Sequence, residues 1–253
     1  MLEKFDYATY DRLLKRVRAR HANLRFCDLP PEGASGRWFV LRHDVDFWPA
    51  AALALAEREA EAGVRATYFL LLSAETYNLQ APEHAALPRR LVELGHEVGL
   101  HYDAAALEAV GPAARDELVS LRLRTLEALA GAPMRSIALH NPSLSGADPL
   151  AGRTDLVNAY DPTYTREIAY FSDSCGAWRN DARRALTAGP LPDRFQLLIH
   201  PLFWAAEHAD RWARLDAWQA AQRRRLDRAA DAVRRAWSEH AGVREHEARG
   251  AGQ

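Results

Sequence analysis

Four segments of this chain run apolar without alternation and then stop at histidine or aspartate: WFVLRHDVD (Trp38 to Asp46), HEVGLHYD (His96 to Asp103), MRSIALHNPS (Met134 to Ser143) and FQLLIHP (Phe195 to Pro201). A strand buried on both faces reads this way, and both faces are buried chiefly where helices cover a parallel sheet. Val64 to Ser73 and Ile168 to Ser174 add two more candidate strands. Between them lie helical patterns at Pro49 to Ala62, Pro88 to Leu94 and Pro112 to Leu129, followed by Gly63, Gly95 and Gly131. An earlier helix spans Tyr7 to Arg20, with Tyr10, Leu13, Leu14 and Val17 at helical spacing, and a loop with Pro30, Pro31, Gly33 and Gly36 follows it. The alternation predicts an α/β protein with a parallel sheet, open or closed into a barrel.

In such sheets the functional residues gather at the C-terminal ends of the strands. Asp44, Asp46, His101, Asp103, His140 and His200 all fall at or just past such ends. Histidines and carboxylates converging from several strands suit a metal site. Asp44 and Asp46, two residues apart on a strand, point the same way, so one can bind a metal while the other acts as a base beside it. His96 starts its strand and belongs at the opposite end.

Composition narrows the alternatives. The 253 residues carry 33 Lys+Arg and 34 Asp+Glu, a balance that gives no reason to expect nucleic acid as a partner. Cys27 and Cys175 are too few for a disulfide framework or a cysteine-based zinc site. No apolar run reaches membrane-spanning length, and the charged N-terminus lacks signal-peptide character, so a cytoplasmic location is expected. From 206 to 241 apolar residues step by three or four among Arg, Asp and Gln, which predicts one long amphipathic helix before a frayed polar tail. The expected organisation is a barrel with its N-terminal helix over 1–205, and a C-terminal helix packing on it over 206–253.

The order of the motifs resembles the NodB-homology polysaccharide deacetylases, carbohydrate esterase family 4. RHDVD stands where that family has a TFDDG-like motif, RATYFLL is similar to its ATFF strand, and GHEVGLH to its GHEIGNH strand. ALHNPS takes the place of the third motif, YFSDSCGAW of the fourth, and LLIHP of the motif that carries the catalytic His. The resemblance spans about Trp38 to Trp204. It implies a distorted (β/α)7-type barrel and metal-dependent removal of an acetyl group from a sugar or glycoconjugate. It implies Asp44 as the base, His200 as the acid, Asp173 as the residue orienting that His, and Trp178 as a pocket wall; Trp204 is the other aromatic expected against a sugar ring. The metal is expected to be zinc, with nickel or cobalt as alternatives.

Two departures from the family pattern shape the ligand set. Val45 splits the usual paired aspartates, which makes Asp46 the metal carboxylate and Asp44 the base, or the reverse. The usual second metal His falls at Ala105, so His140 is the expected replacement and Asp103 the runner-up. The third-motif Arg is missing, which leaves Arg42 or His43 to orient the base; Arg42 and Asp103 are also candidate substrate contacts. Cys175 reads as a small packing residue. The expected function is an acyl-sugar hydrolase in polysaccharide or glycoconjugate biosynthesis. The alternatives are an amide hydrolase acting on a non-sugar substrate and a glycan-binding or scaffolding barrel without turnover. A glycosidase is disfavoured because the candidate residues are mostly His.

Overall fold

The computed structural model describes residues 4–29, 35–143 and 147–250. Part of the loop expected around Pro30, Pro31 and Gly33, and the last residues of the polar tail, lie outside them. Two compact units emerge, Met1–Arg211 and Trp212–Gln253.

In the first unit α1 (Tyr7–Arg18) is capped by Asp6, whose side chain accepts from the Thr9 N–H at 2.7 Å, and it buries Tyr10, Leu13, Leu14 and Val17. The chain continues through β1 (Ala22–Leu24), β2 (Trp38–Val45), α2 (Pro49–Glu61) and β3 (Ala66–Leu71). Then come α3 (Leu87–Glu93), β4 (Glu97–Tyr102), α4 (Ala104–Glu108), α5 (Gly111–Ala130) and β5 (Ser136–Leu139). The unit closes with β6 (Val157–Asn158), β7 (Ala169–Ser172), α6 (Ala182–Thr187) and β8 (Arg194–Ile199). β1, β6, α4 and α6 are too short for periodicity to reveal. The second unit is α7 (Arg211–Gly250), whose helix continues through most of the stretch expected to fray.

All strand pairs are parallel, in the order β6-β5-β4-β3-β2-β8-β7, with β1 beside the first half of β2. The path is not closed by backbone bonds between β6 and β7. It curls instead: the Gln196 amide on β8 donates to the carbonyls of Ala159, just past β6, at 3.2 Å and of Tyr164 at 2.8 Å. A side chain on β8 thus reaches across the curl to the segment that follows β6, within a distorted seven-stranded barrel.

Alternation sorts β2 into two faces. Phe39, Leu41 and Val45 join the large core under the helices, while Trp38 and Val40 join a smaller inner cluster with Phe26, Phe69 and Ala138. Arg42 and Asp44 continue that inner face toward the site. Gly99 on β4 is required here, because a Cβ would stand 2.5 Å from the Phe69 ring and 2.7 Å from Ser136 Oγ. Below the inner cluster, Glu97 accepts from Thr67 and Ser136 hydroxyls at 2.7 Å each and from the Cys27 N–H at 3.0 Å. Burial, with Glu97 close by, pushes the Cys27 thiol up to about 12, so it stays protonated.

On the outer face a second polar cluster ties α1, α2, β2 and β3 together around Glu59. Its fully buried carboxylate meets His43 Nε2 at 2.8 Å and accepts from the Tyr68 hydroxyl at 2.8 Å and from that of Tyr10. His43 therefore faces away from the candidate site. His96 accepts the Ala66 N–H and lies 3.0 Å from the Ala56 carbonyl, at the far end of β4 from His101.

Burial alone would raise the Glu59 pKa, but His43, His96 and Tyr10 hold it below the ordinary 4.5. Folding favours the ionised form, so this contribution is present above about pH 4.5 and is lost as the pH falls toward the folded value. Burial also holds His96 below 6.5, so charging it in acid opposes folding as well. The urea midpoint is expected to fall between pH 7 and pH 3. Glu59→Gln should be less stable at pH 7 and show a flatter profile; equal slopes for the two proteins would contradict this account.

Candidate metal centre

The C-terminal ends of β2, β4 and β5 bring Asp46, His101 and His140 together, the group of described residues whose donor atoms can hold a metal. Asp46 Oδ1 lies 3.2 Å from His101 Nε2 and 3.2 Å from His140 Nδ1, and the two nitrogens are 3.2 Å apart. The donors form a near-equilateral triangle. Around an ion with bonds near 2.0–2.1 Å, tetrahedral ligands stand about 3.3 Å apart, so one face of such a polyhedron fits. His101 Nδ1 lies 2.8 Å from the Ala138 carbonyl; as the donor there, it leaves the Nε2 lone pair facing the triangle. Burial would raise the Asp46 pKa, but His101 and His140 hold it far below the carboxylate range. An oxygen and two imidazole nitrogens suit a divalent transition metal.

Asp44 stands beside the triangle, with Oδ2 3.9 Å from His101 Nε2. Arg42 grips it in two bonds, Nε to Oδ1 at 2.7 Å and Nη2 to Oδ2 at 2.6 Å. The guanidinium is fully buried, donates also to Gln196 Oε1 at 3.2 Å, and lies 4.2 Å from the Tyr160 ring centroid. Against the upward push of burial, Arg42 chiefly, then His101 and His200, hold the Asp44 pKa below its usual value. Of the two residues expected to orient this carboxylate, Arg42 does so and His43 does not. The expectation that Arg42 touches substrate is corrected: no surface of it is open to a ligand.

On the other side His200 Nε2 lies 3.9 Å from Asp46 Oδ2. Its Nδ1 is 2.7 Å from Asp173 Oδ1, and its backbone N–H donates to the same carboxylate at 3.0 Å. Burial disfavours the charged imidazole, yet the Asp173 hydrogen bond and charge, with Asp46 and Asp44 behind, raise it to about 9. Asp173 is fully buried and accepts from Trp204 Nε1 at 2.9 Å. Trp204 is therefore no wall for a sugar. It is enclosed, with Phe5 and Tyr10 ring centroids at 5.0 and 4.9 Å. Trp178 packs against Phe5 and Trp204 and does not line the cavity either. Proximity in sequence to the motif put both rings at the site, whereas burial puts Trp204 behind it and Trp178 packs on Phe5 and Trp204.

The cavity over the triangle measures about 520 Å³, and its aromatic lining comes from Phe47, Trp48, Tyr160, Tyr170 and Phe203. Tyr160 and Tyr170 escape a motif-based reading; alternation with the buried Phe171 marks Tyr170 as inward-facing. Cys175 is exposed on the cavity rim at φ 58°, which corrects its reading as a packing residue. Asp103 is not part of the triangle. It caps α4 by accepting the Ala105 N–H at 2.8 Å, and it lines a second cavity of about 540 Å³ that shares Asp46, His101 and His140 with the first. Among the described residues, no helix is long and apolar enough to cross a membrane.

No protein-family model and no curated protein matches the chain. Solved structures similar to it carry the family name that the motif order resembles. A family 4 acetyl xylan esterase from Clostridium thermocellum, solved with a cobalt ion, is 17% identical with a TM-score of 0.44, over 64% of this chain and 73% of its own. A peptidoglycan deacetylase from Bacillus subtilis is 15% identical at TM-score 0.46, over 66% and 76%. A family 4 pseudoenzyme from Bacillus anthracis is 16% identical at TM-score 0.43, over 74% and 60%. Likeness at this level decides neither activity nor substrate.

Two outcomes are expected of the purified protein. It should take up one equivalent of zinc or cobalt, and His140→Ala or Asp46→Ala should weaken uptake at least tenfold by metal titration; unchanged affinity in both variants would remove the triangle from consideration. Arg42→Met should lose about 3–5 kcal/mol in urea unfolding, because it strands a buried carboxylate. Arg42→Met/Asp44→Asn should recover part of that loss.

Proposed function

We propose that the protein is a metal-dependent hydrolase that removes an acyl group, acetyl in the first instance, from a sugar or glycoconjugate. The observation that carries this reading is the donor triangle flanked by two separately held groups, a carboxylate fixed by Arg42 and an imidazole fixed by Asp173, each 3.9 Å from a triangle residue. A divalent ion, when bound, would supply Lewis acidity toward the acyl carbonyl and toward the attacking water.

The chain's own residues supply the rest. Asp46, His101 and His140 would hold the ion. Asp44, ionised and unable to turn, accepts the proton of the attacking water as its oxygen bonds to the acyl carbon. His200, its ring held by Asp173, donates its Nε2 proton to the leaving nitrogen or oxygen as the acyl bond breaks. Asp173 fixes the ring so that Nε2 faces the site. Positioned acid–base groups of this kind contribute about 10²–10⁴-fold each. The aromatic lining suits a sugar ring, and the order of the sequence motifs supports the acetyl-sugar assignment over a non-sugar amide. A place in polysaccharide or glycoconjugate biosynthesis is part of the same reading.

The test is acetate release from N-acetylated and O-acetylated sugars by zinc- or cobalt-loaded protein. Asp44→Asn should cut kcat at least a hundredfold with metal content intact. It disturbs the Arg42 pair, so His200→Gln serves as the variant that leaves that pair alone, with the same expected loss. Full turnover in His200→Gln, or no acyl release by metal-loaded wild type from any acylated sugar, would overturn the reading.

A further inference from the structure

The second cavity contains a cation that the chemistry above does not use. Arg122, on α5, lines it together with Asp103, Glu75, Thr76 and Ala106, and the triangle residues form its inner wall. Arg122 lies between the buried Val119 and Leu126 along the helix and is itself only partly exposed. Burial strips water from the guanidinium and lowers its pKa, and Asp103 opposes this only at a distance. Among the described residues Arg122 makes no hydrogen bond and no ion pair within 4.0 Å. Asp103 accepts the Ala105 N–H with Oδ1 while its charge still acts on Arg122, and Glu75 is exposed.

A ligand reaching across the triangle into this cavity removes more water from Arg122. A neutral ligand leaves this half-buried guanidinium with only the longer-range charge of Asp103 as compensation. A carboxylate or phosphate compensates it, because the guanidinium presents a planar fork of donors matched to those groups. We propose that Arg122 forms an anion subsite beside the metal centre, and that the substrate carries a carboxylate or phosphate next to its acylated sugar. This deepens the deacylase reading and rests on it for the identity of the sugar.

The experiment compares wild type, Arg122→Gln and Arg122→Lys, zinc-loaded and at low ionic strength. The probes are neutral triacetylchitotriose, N-acetylmuramic acid for a carboxylate, and UDP-N-acetylglucosamine for a phosphate. Calorimetric affinity and acetate release are both measured. Wild type should bind at least one anionic probe about tenfold more tightly than the neutral one. Arg122→Gln should abolish that preference through KM with kcat nearly unchanged, and Arg122→Lys should keep part of it; the favoured probe identifies the anion. A preference undiminished in Arg122→Gln, or no preference in wild type, overturns the subsite. Arg122-dependent binding without acetate release sinks the deacylase reading and leaves the subsite standing. Equal acetate release from all three probes does the opposite.

Discussion

The Arg42–Asp44 pair inside the barrel is the interaction on which the rest of the architecture turns. Taking both charges out of water costs several kcal/mol per ion, and only close, bidentate geometry with further hydrogen bonds offsets that cost. The fold provides both. Arg42 shares Gln196 with the carbonyls of Ala159 and Tyr164, the contacts that tie β8 across the curl to the segment after β6. This tie across the curl and the orientation of Asp44 are thus one network, and a change in either is felt by the other.

Strand β2 performs two jobs by alternation. Its inner face carries Arg42 and Asp44 toward the chemistry, while His43, between them, turns outward to Glu59 and fastens the covering helices. The partition resembles that of the site itself. Residues in contact with the cavity are few, and a larger set stands behind them: Asp173 behind His200, Trp204 behind Asp173, and the Ala138 carbonyl behind His101.

Much of this was legible in the chain. Continuous apolar runs gave most of the long strands, and their polar last residues gave Asp44, Asp46, His101, His140 and His200, because a parallel sheet places strand ends on one edge. Depth was not legible. Trp178, Trp204 and Arg42 sit within motifs, yet whether a large side chain lines a cavity or supports its wall depends on packing from distant segments such as Phe5, Tyr10 and Gln196. β1 and β6 escaped because two or three residues show no period, and Tyr160 because it belongs to no regular element. Cys175 looked like filler by size but is exposed, on a backbone in the left-handed region.

The two imidazoles of the triangle come from neighbouring strands, His101 within β4 and His140 just past β5, where His101 pairs with Ala138. Their spacing is therefore set by the hydrogen-bond ladder and not by a turn of helix. The long connections between Asp46, His101 and His140 have no part in that spacing. Insertions, deletions and sequence drift in those connections are insulated from the donor geometry, whereas a one-residue slip between β4 and β5 would turn a ligand to the opposite face. The centre is tolerant of change along the chain and intolerant of change across it.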